Sequence, residues 1–342
     1  MKYFLAACLI FIASACASSS YNTLGRYMAA PDGGATFAWP GSGVEGHFRG
    51  TRVIARIEDG GDSIMDLAID GVITQLPLDP GVRDYTLFEA ANAEEHDIRL
   101  TRRSEVFSGL TTIHAVTLDG AWLPTTAHAH RILFLGDSIT VGYGAAGADQ
   151  TCRYSAEASP PFDAYSHLTA GAFDADVHVL AISGRGVVRN YDGEAATHMP
   201  ALLDTALPDH PEFVWDHARF APELIVINLG ANDFSTTGPG DAFEPAYVAL
   251  LGAVRDRYPN AHIISAFGPE DKRVAIDAIT RAVGAFNQTQ NRPVTFLYLP
   301  NATSGHIYGC DWHPGIDAHK VMARALAAQI EHDLGWTYRA IE

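Results

Sequence analysis

The sequence is poor in basic residues. Lys and Arg number 23 against 40 Asp and Glu in 342 residues, which gives a formal net charge of -17. A surface of this sign repels phosphate backbones, so the shortage argues against nucleic acid as a partner. Neutral ligands are not penalised by the same field.

The sequence also shows no membrane span at its N-terminus. The apolar run over residues 3–12 is too short to cross a bilayer as a helix. A basic residue precedes it and small residues follow it, which is typical of a signal peptide over residues 1–17. Cleavage before Cys16 would resemble bacterial lipoprotein processing and leave a lipid anchor there, whereas cleavage after Ala17 would release a secreted or periplasmic protein. Both alternatives predict export.

Cysteine is scarce, with four residues in the chain. Cys8 and Cys16 fall in the signal segment, which leaves Cys152 and Cys310. Two cysteines in an exported protein predict one disulfide, and the alternative is a pair of unrelated buried thiols. Neither Cys-x-x-Cys nor His-Glu-x-x-His occurs, so we expect no metal centre and no cofactor.

Two patterns of hydrophobicity divide the chain near residue 125. The first half alternates apolar and polar residues in short runs separated by turn formers, which predicts antiparallel strands in a β-sandwich or jelly roll over residues 20–126. The second half, over residues 128–342, alternates wholly apolar runs with helical patterns. Strands that are apolar throughout predict a parallel sheet covered by helices on both faces. The apolar runs are "ILFLG", "VHVLAISG", "LIVINLG", "HIISAFG" and "VTFLYLP".

The first of these apolar strands ends in "GDSIT", residues 136–140. Gly136 permits a tight turn as the chain leaves the sheet, and Ser138 then faces the crevice where parallel sheets bind ligands. A nucleophilic serine suits this position because its own backbone N–H can also face a developing oxyanion. On its own the motif is a weak signal that is more typical of a helix cap.

Other strand ends supply the groups that a nucleophilic serine needs. Gly184 follows the second strand and Asn232 the third, and both can donate an N–H to an oxyanion. "GCDWHPG" brings Asp311 and His313 between the last strand and the last helix. His313 is the candidate general base, because a free hydroxyl is a poor nucleophile near neutral pH.

These blocks, in the order "GDSIT", "SGRG", "GAND" and "DWHP", resemble the SGNH, or GDSL-like, hydrolase superfamily over residues 131–334. The resemblance implies that Ser138 is the nucleophile, that Ser138, Gly184 and Asn232 form the oxyanion hole, and that His313 is the base. The N-terminal β-rich domain and "GCDWHPG" look more specifically like carbohydrate esterase family 2. That similarity implies an esterase that removes acetyl groups from xylan or another plant polysaccharide.

Two residues of the last block have open roles. Asp311 lies two residues before His313, where the superfamily usually has three, so we assign it as the third triad member with a backbone carbonyl as the alternative. Some members of family 2 are thought to use such a carbonyl. Trp312 between them has two readings, a core residue or a sugar-stacking platform in the substrate cleft.

Alternative functions remain at this point. The chain could be a carbohydrate-binding protein with a vestigial site, or an esterase or transacylase acting on lipid or surface-glycan esters. "GYGAAG", residues 142–147, fits the dinucleotide pattern, but "GDSIT" already occupies the turn after the strand, so we interpret these glycines as a loop beside Ser138.

Overall fold

A computed structural model describes residues 21–194 and 196–342. The predicted signal peptide, with Cys8 and Cys16, lies outside these residues. An antiparallel β domain precedes an α/β domain built on a parallel sheet, so the predicted fold class is confirmed.

The N-terminal domain is an eight-stranded antiparallel sheet in the order β2-β3-β8-β4-β7-β5-β6, with β1 paired to β4. Its inward-facing side chains form one hydrophobic core that includes Phe37, Phe48 and Leu100. The strands are β1 (Asn22–Leu24), β2 (Met28–Ala29), β3 (Ala35–Phe37), β4 (Gly43–Asp59), β5 (Ile64–Ile69), β6 (Val72–Pro77), β7 (Gly81–Arg102) and β8 (Thr111–Leu123).

Strand β7 is longer than the short alternating runs that the sequence pattern predicts for this domain, two of which are "YTLFEA" and "HDIRLTRR". The structure joins them into one strand of 22 residues. Pairing with β4 shifts register between Gly50 and Arg52, opposite residues 90–93 of β7. The low strand propensity of "EAANAEE" is therefore accommodated as an irregularity within a continuous strand, because β4 supplies pairing on both sides of it.

The C-terminal domain has a five-stranded parallel sheet in the order β10-β9-β11-β12-β13. Its strands are β9 (His130–Gly136), β10 (Ala175–Ala181), β11 (Leu224–Asn228), β12 (His262–Phe267) and β13 (Thr295–Tyr298). Its helices are α1 (Ser138–Val141), α2 (Tyr165–Ala172), α3 (Phe243–Arg257), α4 (Arg273–Asn287) and α5 (Ile316–Leu334).

Both faces of this sheet are buried, which explains the wholly apolar strands. In β9, Ile132 and Phe134 belong to a core shared with α2 and α5, while Leu133 and Leu135 point to the opposite face and a core shared with α3 and α4. Successive residues of a strand point to opposite faces, so covering both faces requires every residue to be apolar.

The strand order places a crevice beside the carboxyl end of β9. From β9 the chain crosses to β10 on one side and then returns to β11 on the other. Crossover connections leave the sheet in opposite directions at such a point, which opens a cleft at the carboxyl ends of the strands. Ser138 lies directly after β9 and so stands at this opening.

The two domains share a buried interface. Arg26, which is 1% exposed, donates to the carbonyls of Leu203 and Thr205 at 2.8 Å each. Trp39 lies in the core of the C-terminal domain and donates its indole N–H to the carbonyl of Ala206 at 2.9 Å. The N-terminal domain therefore packs against the C-terminal domain through buried side chains.

Candidate active site

A sharp turn presents Ser138. Asp137 caps α1 by accepting the N–H of Ile139 at 3.1 Å, and Ser138 is the first residue of the helix. A Cβ at Gly136 would lie 2.0 Å from Oγ1 of Thr140, so the turn leaves space for glycine alone. The sequence "GDSIT" thus fixes the serine at the carboxyl edge of the sheet.

One cleft of about 770 Å³ contains all six residues that the sequence predicts for catalysis and substrate binding. Its lining includes Ser138, Gly184, Asn232, Asp311, Trp312 and His313. These residues come from four separate segments of the chain. The parallel topology therefore brings together groups up to 175 positions apart, the separation of Ser138 and His313 by their residue numbers.

Gly184 stands in a loop that a buried carboxylate organises. The φ of Gly184 is +80°, in the left-handed region that favours glycine. Asp233, fully buried, accepts the backbone N–H groups of Val187, Val188 and Arg189 at 2.8 to 3.1 Å. The sequence interpretation missed this role of Asp233, and the signal available was its place beside Asn232 in "GAND".

The side chain of Asn232 is already hydrogen-bonded. Its Nδ2 donates to the carbonyl of Arg185 at 2.8 Å and to Oδ2 of Asp137 at 3.2 Å. Asp137 is buried, and burial raises its pKa to about 7. Asp137 therefore caps the helix of the serine, as the helix-cap alternative for "GDSIT" expects. It also orients the amide of Asn232, a role that the sequence interpretation did not assign.

His313 is held by a backbone carbonyl. Its Nδ1 lies 3.3 Å from the carbonyl oxygen of Cys310. A carbonyl can only accept, so Nδ1 carries the proton in this bond and Nε2 has a free lone pair. The ring lies against Tyr143 with centroids 4.1 Å apart, and burial lowers the pKa of His313 below its ordinary value of 6.5. The imidazole is therefore neutral at pH 7 and able to accept a proton.

The sequence interpretation assigns Asp311 as the third triad member, with a backbone carbonyl as the alternative, but the structure gives its carboxylate partners other than the His313 imidazole. The Asp311 carboxylate instead accepts the hydroxyl of Tyr143 at 2.8 Å, the N–H of Tyr154 at 3.1 Å and a guanidinium N–H of Arg153 at 3.0 Å. Burial opposes ionisation of Asp311, but these donors outweigh it and hold its pKa below the usual range. Of the two alternatives, the geometry matches the backbone carbonyl.

The backbone conformation explains why the carboxylate turns away. Asp311 and Trp312 have φ values of +49° and +63°, a left-handed pair that is rare outside glycine. Two residues apart on an extended strand would share a face, but this turn rotates Asp311 away from His313. It also brings the Cys310 carbonyl to the imidazole.

The predicted disulfide between Cys152 and Cys310 is present, with a Cα separation of 4.6 Å. Around it, the N–H of Cys310 donates to the backbone carbonyl of Gly144 at 3.0 Å, and the N–H of Asp311 donates to the backbone carbonyl of Cys152 at 2.9 Å. "GYGAAG" thus forms a loop beside Ser138 that packs on the histidine loop. A Cβ at Gly147 would lie 2.2 Å from Sγ of Cys310, which explains glycine at that position.

Trp312 is 66% exposed, so the core alternative for this residue is wrong. Its ring meets Tyr308 edge to face at 5.5 Å. Tyr191 and Tyr298 line the same cleft, and they are 55% and 37% exposed. The mouth of the cleft therefore carries partly exposed aromatic rings.

Within residues 21–194 and 196–342, no group of three or more His, Cys, Asp or Glu side chains is arranged to hold a metal ion. No helix in this described part of the chain has the length and apolar character needed to cross a membrane.

Comparison with known proteins agrees with this fold. Residues 134–320 match the GDSL-like Lipase/Acylhydrolase family, so the C-terminal domain is of the GDSL-like hydrolase class. Residues 23–125 match the Carbohydrate esterase 2 N-terminal family. The chain therefore belongs to carbohydrate esterase family 2.

Individual relatives resemble the chain over most of its length. An acetylxylan esterase / glucomannan deacetylase of Cellvibrio japonicus is 32% identical over 98% of this chain and 97% of its own. The cellulase/esterase CelE of Acetivibrio thermocellus is 31% identical over 92% of this chain, which spans only 39% of that longer protein. Among solved structures, a family two carbohydrate esterase from Clostridium thermocellum in complex with cellohexaose has a TM-score of 0.87, with 30% identity, over 93% of this chain and 100% of its own.

Proposed function

We propose that this carbohydrate esterase removes O-acetyl groups from a plant polysaccharide such as xylan or glucomannan through a Ser138–His313 pair. The observation that carries the proposal is the orientation of His313, which lines the same cleft as Ser138. Its Nδ1 is bonded to a carbonyl, so in the neutral ring Nε2 is the nitrogen that can accept a proton. A neutral imidazole of this tautomer is the base that a serine nucleophile needs.

The proposed reaction proceeds by two acyl transfers. Nε2 of His313 takes the hydroxyl proton as Oγ of Ser138 attacks the ester carbonyl, and a tetrahedral intermediate forms. The imidazolium returns the proton to the leaving sugar hydroxyl, which leaves an acetyl-serine. Water, deprotonated by the same Nε2, then attacks the acetyl group, and the imidazolium gives its proton to Oγ of Ser138 as that oxygen leaves, which regenerates the serine and releases acetic acid, ionised to acetate near neutral pH.

The proposed oxyanion donors are the backbone N–H groups of Ser138 and Gly184 and the amide of Asn232. Both amide hydrogens of Asn232 are already bonded, at 2.8 Å to Arg185 and at 3.2 Å to Asp137. The longer bond is the one that yields when the oxyanion forms, because a charged acceptor binds an N–H more strongly than the partly protonated carboxyl of Asp137, whose pKa is about 7.

A carbohydrate substrate is supported by the mouth of the cleft and by the family. Exposed aromatic rings such as Trp312 stack on sugar rings, and a net charge of -17 does not repel a neutral acetylated glycan. Relatives named acetylxylan esterase / glucomannan deacetylase favour xylan and glucomannan. Such polymers lie outside the cell, in agreement with the predicted export of this chain.

The test is release of acetate from acetylated xylan, acetylated glucomannan and 4-nitrophenyl acetate by wild type and Ser138→Ala. We expect wild type to deacetylate at least one polysaccharide and Ser138→Ala to lose on the order of 10⁴ or more in turnover while still binding the polymer. A folded Ser138→Ala protein with full activity contradicts the nucleophile. Polysaccharide binding without hydrolysis by wild type would instead identify a binding protein.

A further inference from the structure

A buried carboxylate of the N-terminal domain reaches the catalytic cleft. Glu105 lies shortly after β7, at the start of a 3-10 helix over Val106–Ser108, and is 1% exposed. Its Oε2 accepts the backbone N–H of Ser183 at 3.0 Å, and its Oε1 accepts the hydroxyl of the same serine. Ser183 lies in the C-terminal domain and lines the cleft.

Burial of the Glu105 side chain is energetically unfavourable. Burial disfavours the charged carboxylate and raises its pKa to about 7. Within the described residues, no Lys or Arg side chain forms an ion pair with it. Elsewhere the interface uses Arg26 and Trp39, which donate to backbone carbonyls. Joining the domains therefore does not by itself require an acid at position 105.

The position of its partner suggests a more specific role. Ser183 directly precedes Gly184, and the peptide N–H between them is a proposed oxyanion donor. By accepting both the N–H and the hydroxyl of Ser183, Glu105 restrains that residue at two points. Gly184 has no side chain to fix its own orientation, and its φ of +80° must be maintained by its surroundings.

The same short segment of the N-terminal domain also supports the base. The ring of Phe107 packs edge to face on Tyr154 at 5.0 Å, and Tyr154 lies 4.9 Å from Tyr143. Tyr143 in turn packs on His313 at 4.1 Å. Residues 105–107 thus contact both the loop of the oxyanion donor and the aromatic stack behind the imidazole.

We propose that Glu105 is a positioning residue, supplied by the N-terminal domain, that aims the Gly184 N–H at the oxyanion through Ser183. This inference rests on the proposed oxyanion role of Gly184. It makes the N-terminal domain a part of the esterase site in addition to any contact it makes with the polysaccharide.

The experiment compares Glu105→Ala and Glu105→Gln with wild type on 4-nitrophenyl acetate. The fraction of active protein is measured as the final extent of Ser138 labelling with a fluorophosphonate. In Glu105→Ala we expect kcat per active site to fall 10- to 100-fold, because a misdirected oxyanion donor loses transition-state stabilisation. KM should stay within about twofold, since the donor acts on the transition state more than on the bound ester.

Glu105→Gln provides the conservative rescue. Its amide oxygen can still accept the Ser183 N–H while its amide N–H donates to the serine hydroxyl, so we expect kcat within about fivefold of wild type. Trp39→Phe is the matched control, because it also removes one hydrogen bond across the domain interface, and neither Trp39 nor its partner Ala206 lines the cleft. It should lower Tm and leave kcat unchanged.

The outcomes separate this inference from the proposed function. If Ser138→Ala keeps wild-type turnover, the catalytic assignment fails and the role of Glu105 fails with it. If Ser138→Ala is inactive but Glu105→Ala has wild-type kcat per labelled site, only the positioning role is overturned. Should Glu105→Ala not fold, Glu105→Asp decides, because its shorter side chain cannot hold both atoms of Ser183. Wild-type kcat in that variant would overturn the inference, and a fall of about tenfold would support it.

Discussion

The two halves of the cleft are held by different means. On the side of Ser138, Gly184 and Asn232, the orienting groups are buried carboxyls, with Asp137 bonded to Asn232 and Asp233 bonded to three backbone N–H groups. On the side of His313, the orienting groups are a backbone carbonyl and a disulfide-linked loop. Buried acids thus orient the N–H donors on the Ser138 side of the cleft, whereas a backbone carbonyl orients the base on the His313 side.

This difference follows from what each half must present. Backbone and amide N–H groups are aimed by acceptors, and a carboxylate offers two oxygens with several acceptor sites. An imidazole needs one acceptor at Nδ1, which a fixed carbonyl supplies without a carboxylate bonded to the ring. With no carboxylate bonded to Nδ1, burial dominates and the pKa of His313 falls below 6.5.

After removal of the Ser138 nucleophile, the largest expected effect comes from removing the base. His313→Ala should lower kcat/KM by about 10³- to 10⁴-fold, because Ser138 then lacks a proton acceptor. In wild type, kcat/KM should rise with pH and level off after an inflection below 6.5, since only the neutral imidazole accepts a proton. A pH profile on 4-nitrophenyl acetate measures this inflection, and a value well above 6.5 would contradict the carbonyl-bonded histidine.

The next effect tests the carboxyl-held half. Asp233→Ala removes the acceptor of the N–H groups of Val187, Val188 and Arg189, next to the loop of Gly184. We expect kcat to fall on the order of 10²-fold, the scale of losing one oxyanion donor, together with a lower Tm. Asp233→Asn keeps one acceptor oxygen and should recover part of both. Equal kcat in wild type and Asp233→Ala would show that this loop does not serve catalysis.

The fold was largely accessible from the sequence, because its signals are local. The continuous apolar run of β9 and the alternation in β4 follow directly from which faces are covered. The sequence also predicts that Ser138, Gly184, Asn232 and His313 lie together at the carboxyl edge of the sheet, since each of them comes after a parallel strand. The irregularity in β7 was missed because its continuity depends on the pairing partner β4.

The details of the site depended on long-range geometry and could not be predicted. The spacing of Asp311 and His313 left a carboxylate contact open, and only the left-handed turn at Asp311 and Trp312 removes it. Glu105 gave no sequence signal, because its partner Ser183 lies 78 positions away in the other domain. Such contacts are set when the two domains pack.

A smaller effect distinguishes a carboxylate from a carbonyl at the base. Asp311→Ala should lower kcat by less than about tenfold, far from the loss on the order of 10⁴ that follows removal of a triad carboxylate. The residual loss comes from Tyr143, whose hydroxyl loses its acceptor and whose ring supports His313. Tyr143→Phe, which keeps the ring, should have a similarly small effect. A loss of 10³-fold or more in Asp311→Ala would restore the carboxylate to the triad.

The smallest expected effect on turnover is that of the disulfide, and its effect on stability is larger. Opening Cys152–Cys310 by the Cys152→Ser, Cys310→Ser double variant should lower the free energy of unfolding by about 2 to 5 kcal/mol, because the closed loop spans 158 positions. Turnover should fall only a few-fold. Backbone bonds from Cys310 to Gly144 and from Asp311 to Cys152 still join the two loops, so the carbonyl that orients His313 stays in place at 25 °C.

Denaturant unfolding and 4-nitrophenyl acetate kinetics on the same sample measure both quantities. As temperature rises, the variant should lose activity before wild type does, in step with its own unfolding. If turnover at 25 °C instead drops by 10²-fold while the protein remains folded, the disulfide orients the base directly. The backbone contacts alone would then be insufficient, and the histidine half of the cleft would depend on a covalent link where the opposite half depends on buried acids.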